Sequence, residues 1–150
     1  ILARREKRGN EEKILKMALC HDIAETRTSD LSYVQKIYVK ADEGQAVDDM
    51  FADTDVSDFA SLIHEYEKRE SIEAQIVKDA DNLDIDLEMK ELEERGHKIV
   101  EKWKGFRRMI RDEKLYTQAA KDLWDEIQTS DPSSWHLTTN KWLRIPGAGR

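Results

Sequence analysis

His21 and Asp22 stand side by side in the run ALCHDIAE, and Asp81 comes much later in VKDADNLD. An imidazole and two carboxylates can hold one divalent cation while leaving coordination positions open for water and a phosphate. A mixed nitrogen and oxygen donor set suits Co, Mn, Fe, Ni or Zn better than the all-oxygen cages of magnesium and calcium.

These groups have to be positioned by helices. β-branched runs are scarce and both prolines lie after residue 130, so the pattern predicts an all-α chain. Asn10 followed by Glu11 and Glu12 predicts a helix start. Ile14, Met17, Ala18, Ile23 and Ala24 form a helically spaced stripe that puts His21 beside Met17, and Asp22 and Glu25 beside Ala18. Ionisable groups placed on that buried side are costly unless paired, hydrogen-bonded or bound to metal.

Residues 26–41 read as a loop whose apolar stretch, LSYVQKIYV, makes a short helix or an irregular cover over the site. A short helix over 45–51 and a longer one starting at Asp55 or Ser57 come next. Ser71 caps another, with Ile72, Ile76, Val77, Ala80, Leu83 and Leu87 as its apolar face and Gly96 as its stop. Asp81 lies one turn after Val77, at the edge of that face, where it can face the bundle interior toward His21 and Asp22. Trp103, Phe106 and Ile110 mark a further helix, and Leu115, Ala119, Leu123 and Ile127 another, which Ser130-Asp131-Pro132 ends. The first part of the tail, with Trp135 and Trp142, is expected to dock, leaving 146–150 free.

The doublet, its setting and the later HEYEKRESIEAQIVKDADNLD together resemble the HD-domain metal-dependent phosphohydrolases, in particular the small 5′-deoxynucleotidases. The resemblance covers residues 1–95 and implies an HD-domain helical bundle, with 96–150 as C-terminal helices and docked tail of one domain spanning 1–150. It implies His21, Asp22 and Asp81 as metal ligands. Glu25 then orients or deprotonates the attacking water and Asp30 protonates the leaving 5′-oxygen, or the two exchange roles. The substrate implied is a deoxyribonucleoside 5′-monophosphate, and the implied assembly is a homodimer. Ser29 stands where that family commonly has Gly. The family's first His ligand has no counterpart before His21, and the expectation is that it lies upstream of Ile1. The alternatives are another HD phosphohydrolase or phosphodiesterase acting on nucleotides, or a non-catalytic helical binding module with a degenerate site.

The net charge of −7 argues against a general binder of nucleic-acid polymers. No run is apolar enough to span a bilayer, and the single Cys20, read as a small buried thiol, fits a reducing compartment such as the cytoplasm. The clusters Arg4-Arg5-Lys7-Arg8 and Arg107-Arg108-Arg111 read as solvated helix ends and faces. Most of the acids in the run Asp79, Asp81, Asp84, Asp86 and Glu88 read as a solvated face too, with Asp84 a candidate partner to Asp81. His64, His97 and His136 read as surface or packed histidines. Trp103, Phe106, Trp124, Trp135 and Trp142 offer more apolar surface than one small bundle needs, which suggests a dimer face.

Overall fold

In a computed structural model of the chain, residues 1–138 are described, and they form ten helices and no strand. The fold is all-α. Two compact units, Ile1–Asp79 and Ala80–Arg150, divide it. Trp142 and the end of the tail lie outside the described residues.

The first unit carries α1 (Leu2–Glu6), α2 (Glu11–Cys20), α3 (Glu25–Thr28), α4 (Gln35–Tyr38), α5 (Glu43–Phe51), α6 (Asp58–Lys68) and the start of α7 (Ile72–Glu94). Asn10 caps α2 as its spacing predicts, its side chain accepting from the Lys13 N–H at 3.1 Å; such a cap stabilises a helix by about 1 kcal/mol. The Asn10 N–H in turn donates to the Glu73 carboxylate at 2.9 Å, tying the start of α2 to the first turn of α7. Met17 and Cys20 are buried, with Ile14 at the edge of burial, and α2 lies against α6, where Ile63 and Tyr66 are buried. Lys13 and Glu65 join the same two helices at 2.7 Å.

Cys20, Ala24, Ala46, Val47, Phe51 and Ile63 form one core cluster, with Ile23, Met50, Phe59 and Ala60 packed on it. Each large apolar side chain buried there stabilises by about 1.5–3 kcal/mol. Phe51 of α5 and Phe59 of α6 stack at 6.3 Å between ring centres. The Cys20 thiol, buried as expected, donates to the Lys16 carbonyl at 3.1 Å, and burial pushes its pKa up. Loop 26–41 does contain the short helix the sequence suggests, α4, and its Val34, Ile37 and Tyr38 are exposed.

Ser71 caps α7, its hydroxyl accepting from the Ala74 N–H. Gly96 ends the helix at φ +74°, and the His97 N–H closes back on the Leu92 carbonyl at 2.9 Å. This is a left-handed stop that glycine adopts at least cost. The buried face of α7 differs from the expected one: Ile76, Val77, Asp79, Leu83 and Asp86 are buried, while Leu87 is half exposed and Ala80 is exposed.

In the second unit, α8 (Ile99–Glu113) packs on α9 (Gln118–Thr129), and α10 (Ser134–Thr138) comes last. Its core uses Leu83, Ile110, Leu115, Ala119, Ala120, Trp124 and Ile127. Thr117 caps α9 by accepting from the Ala120 N–H. Arg107, expected on a solvated cluster, is buried instead: Nε and Nη2 grip the Asp86 carboxylate at 3.0 and 2.6 Å, and Nη2 also donates to the Asn82 carbonyl. A carboxylate at this depth is tolerable only with such a partner, so two acids of the run that read as solvated, Asp79 and Asp86, belong to the interior.

Candidate metal centre

α2 ends at Cys20, and beyond it the chain winds more tightly than an α-helix. The N–H groups of Ile23, Glu25 and Thr26 reach the carbonyls three residues back, at 3.0–3.1 Å, so successive side chains turn by more per residue than in an α-helix. Ala18 and Asp22, one turn apart, are both exposed, because α2 turns Ile14, Met17 and Cys20 inward instead, and Cys20 and Ala24 face the core. His21 is half-buried. Its Nδ1 stands 2.8 Å from the Ala18 carbonyl, an oxygen that can only accept, so this nitrogen is the donor and Nε2, itself buried, is left as the acceptor of the ring. The Tyr66 ring meets the imidazole edge-on at 5.2 Å and holds its plane.

Asp81 sits early in α7, where the helix is seated by buried Ala74, Ile76 and Val77. One ligand atom each from His21, Asp22 and Asp81 lies within 4.8 Å of the others, and among the described residues this is the group of that kind. The donor set fits a divalent cation on chemical grounds as well. His21 Nε2 stands 3.0 Å from an Asp22 oxygen. With Nδ1 committed as donor, a neutral ring brings one lone pair against another there, an arrangement that asks for a proton or a cation between them.

Glu25 begins α3, directly after the tight turn. Partial burial pushes its carboxyl above the usual range, and the nearby Asp22 and Asp30 carboxylates push it the same way, against the opposing charge of Lys36. Asp30 is exposed and stands outside the three-residue group. Between them Ser29 closes α3 at φ +69° and ψ 147°, a region nearly reserved for glycine. The backbone here asks for the Gly that the resemblance expects and this chain lacks. Asp84, considered as a partner to Asp81, is exposed.

The remaining histidines lie apart from this group. His97 is exposed, and His136 stacks on Trp135 at 3.6 Å. His64 has a carboxylate neighbour that sequence spacing did not show, Asp48 of α5 at 2.7 Å, because the pair forms only when α5 and α6 pack.

The HD-domain model matches residues 1–129. The chain belongs to the HD-domain family. A 5′-deoxynucleotidase of Danio rerio is 32% identical over 91 residues, covering 57% of this HD-domain chain. The chain spans less than half of that enzyme's length, 46%. A conserved hypothetical protein from Pyrococcus furiosus shares the fold with a TM-score of 0.67 at 27% identity, over 85% of this chain and 72% of its own.

Proposed function

We propose that this HD-domain chain is a metal-dependent phosphohydrolase and, within that class, a 5′-deoxynucleotidase. It would convert deoxyribonucleoside 5′-monophosphates to nucleoside and phosphate. The observation that carries the reading is the convergence of His21, Asp22 and Asp81 within 4.8 Å, with Glu25, its carboxyl raised, beginning the next helix. The similarity to the Danio rerio enzyme supports the finer assignment.

His21, Asp22 and Asp81 would hold a divalent cation, from Co, Mn, Fe, Ni or Zn, which when bound would acidify a water and polarise a phosphoryl oxygen. The chain's own groups do the rest. The Ala18 carbonyl fixes the His21 tautomer so that Nε2 faces the centre. Glu25, with its raised affinity for a proton, takes one from the water that attacks phosphorus. As the bond from phosphorus to the 5′-oxygen breaks, its electron pair stays on that oxygen, which Asp30 protonates; the two acids can exchange these roles. The reading extends to a two-fold homodimer acting in the cytoplasm, with no nucleic-acid polymer and no membrane as partner. Among the described residues no helix is long and apolar enough to cross a membrane.

The test is phosphate release. Protein stripped by a chelator should be inactive on deoxyribonucleoside monophosphates and regain activity with Co or Mn. Release that continues unchanged in the stripped protein overturns the reading, and turnover of cyclic nucleotides alone replaces it with a phosphodiesterase.

A further inference from the structure

Within the unit Ala80–Arg150, two buried donors line one cavity. Arg107 is 4% exposed and Trp124 6%, and both border the same space between α7, α8 and α9. Arg107 spends Nε and Nη2 on Asp86 and Asn82, but its Nη1 has no hydrogen-bond partner, and neither has Trp124 Nε1. Buried polar groups are seldom left this way, and an orphaned one marks a strained, functional or ligand-binding position. Two orphans on one cavity point to a shared occupant.

Its chemistry is set by the lining. Guanidinium and indole N–H groups only donate, so the occupant must accept. The cavity volume is about 20 Å³, room for one oxygen atom and its lone pairs. Asp86 already holds Arg107 with both oxygens, and Lys90 spans Glu93 at 2.7 Å and the Gln128 backbone carbonyl at 3.0 Å. Exposed Lys104 adds a positive charge to the lining, and Met89, Val100 and Trp103 give it an apolar wall.

We propose that this cavity is a binding site for a small oxyanion, a carboxylate or phosphate that seats one oxygen against Arg107 Nη1 and Trp124 Nε1 while its remainder lies toward Lys104. An anionic oxygen suits two donors better than a neutral one, because charge-assisted hydrogen bonds are the stronger kind. The site is built from α7, α8 and α9 and uses none of His21, Asp22, Glu25, Asp30 or Asp81, so it stands or falls apart from the phosphohydrolase reading.

The experiment tracks the indole N–H resonances of the full chain by NMR during titration with inorganic phosphate and, separately, with acetate, at constant ionic strength. Trp124→Phe, which keeps an aromatic ring in the core, assigns the Trp124 signal. We expect that signal to move saturably with at least one of the two anions and not with chloride, and Lys104→Ala, an exposed change, to raise the half-saturation concentration about threefold. A larger effect of phosphate than of acetate identifies the source as phosphates, and the reverse as carboxylates. A Trp124 signal that moves with neither anion, or equally with chloride, overturns the proposal and leaves the cavity to an ordinary buried water. If Trp124→Phe does not fold, the Lys104→Ala titration still decides, since an unshifted half-saturation point counts against the site.

Discussion

His21 Nε2 lies 3.0 Å from an Asp22 oxygen while the opposite ring nitrogen is held by the Ala18 carbonyl at 2.8 Å. The doublet is thus fixed from the backbone side by the Ala18 carbonyl. Asp81, on α7, brings a ligand atom within 4.8 Å of both. If this is a metal centre, ligands and acid-base groups should separate on mutation. Asp81→Ala should lose bound metal and activity together. Glu25→Ala should keep the metal and lower turnover about a hundredfold or more. Metal analysis beside kinetics reads both, and an undiminished Glu25→Ala enzyme moves the base elsewhere.

Ser29 holds φ +69°, where a side chain costs on the order of 1 kcal/mol or more. Ser29→Gly should therefore stabilise the chain by about 1 kcal/mol and raise Tm by roughly 2–4 °C. Ser29→Val should do the opposite. Thermal unfolding monitored by circular dichroism decides, and a Gly variant that melts lower than the parent would show that the Ser29 hydroxyl matters more than its backbone.

Two of the arginine pairs of the second unit should behave differently. Arg107 and Asp86 are both buried at 2.6 Å, so Asp86→Ala strands a cation and should cost about 3–5 kcal/mol. Arg111 and Asp125 also meet at 2.6 Å, but with the carboxylate half exposed, and Asp125→Ala should cost less than about 1 kcal/mol. Urea unfolding of both variants provides the comparison; equal losses contradict the buried reading of Arg107.

Glu65 gives a pH dependence with a definite sign. The hydrogen bond from Lys13, then that from Ser71, hold its carboxyl below the usual range. Its stabilisation is present above the unfolded glutamate value and is lost as pH falls through the lower folded one. Both side chains are about one-third exposed, 33% and 30%, so water screens the pair and the effect should stay below about 1 kcal/mol. Glu65→Gln should be less stable than the parent near neutrality, and the gap should close in acid. A gap that widens as pH falls contradicts this assignment.

The helices were legible because their signals are local. Asn10, Ser71 and Gly96 cap within their own turns, and apolar spacing marked most buried positions. What escaped depends on partners remote in the chain. Arg107 and Asp86 meet across 21 residues, and His64 and Asp48 across 16, so composition read them as solvated or solitary. One signal was available: Ile76, Asp79, Leu83 and Asp86 recur at steps of three and four, the spacing of one helix face. Read by position rather than polarity, Asp79 and Asp86 fall on the buried stripe. The exposed place of Asp22 follows from that of Ala18, one turn before it: the buried face of α2 runs through Met17 and Cys20, and a small apolar Ala18 reads as part of it although it lies outside.

The proposed dimer also has a changed basis. Trp124 is buried in its own unit, while Phe106 and Trp135 remain exposed, so fewer of the aromatics are available to a partner than their number suggests. Light scattering at micromolar concentration should still give twice the monomer mass. A monomer mass removes the homodimer from the account.

Cation stoichiometry tests the central claim most directly. Chelator-stripped protein titrated with Co or Mn in a calorimeter should bind one equivalent saturably, and Asp81→Ala and His21→Ala should each weaken that binding at least about tenfold. Saturable binding left unchanged by both substitutions, or no saturable binding at all, would contradict a metal centre built on His21, Asp22 and Asp81.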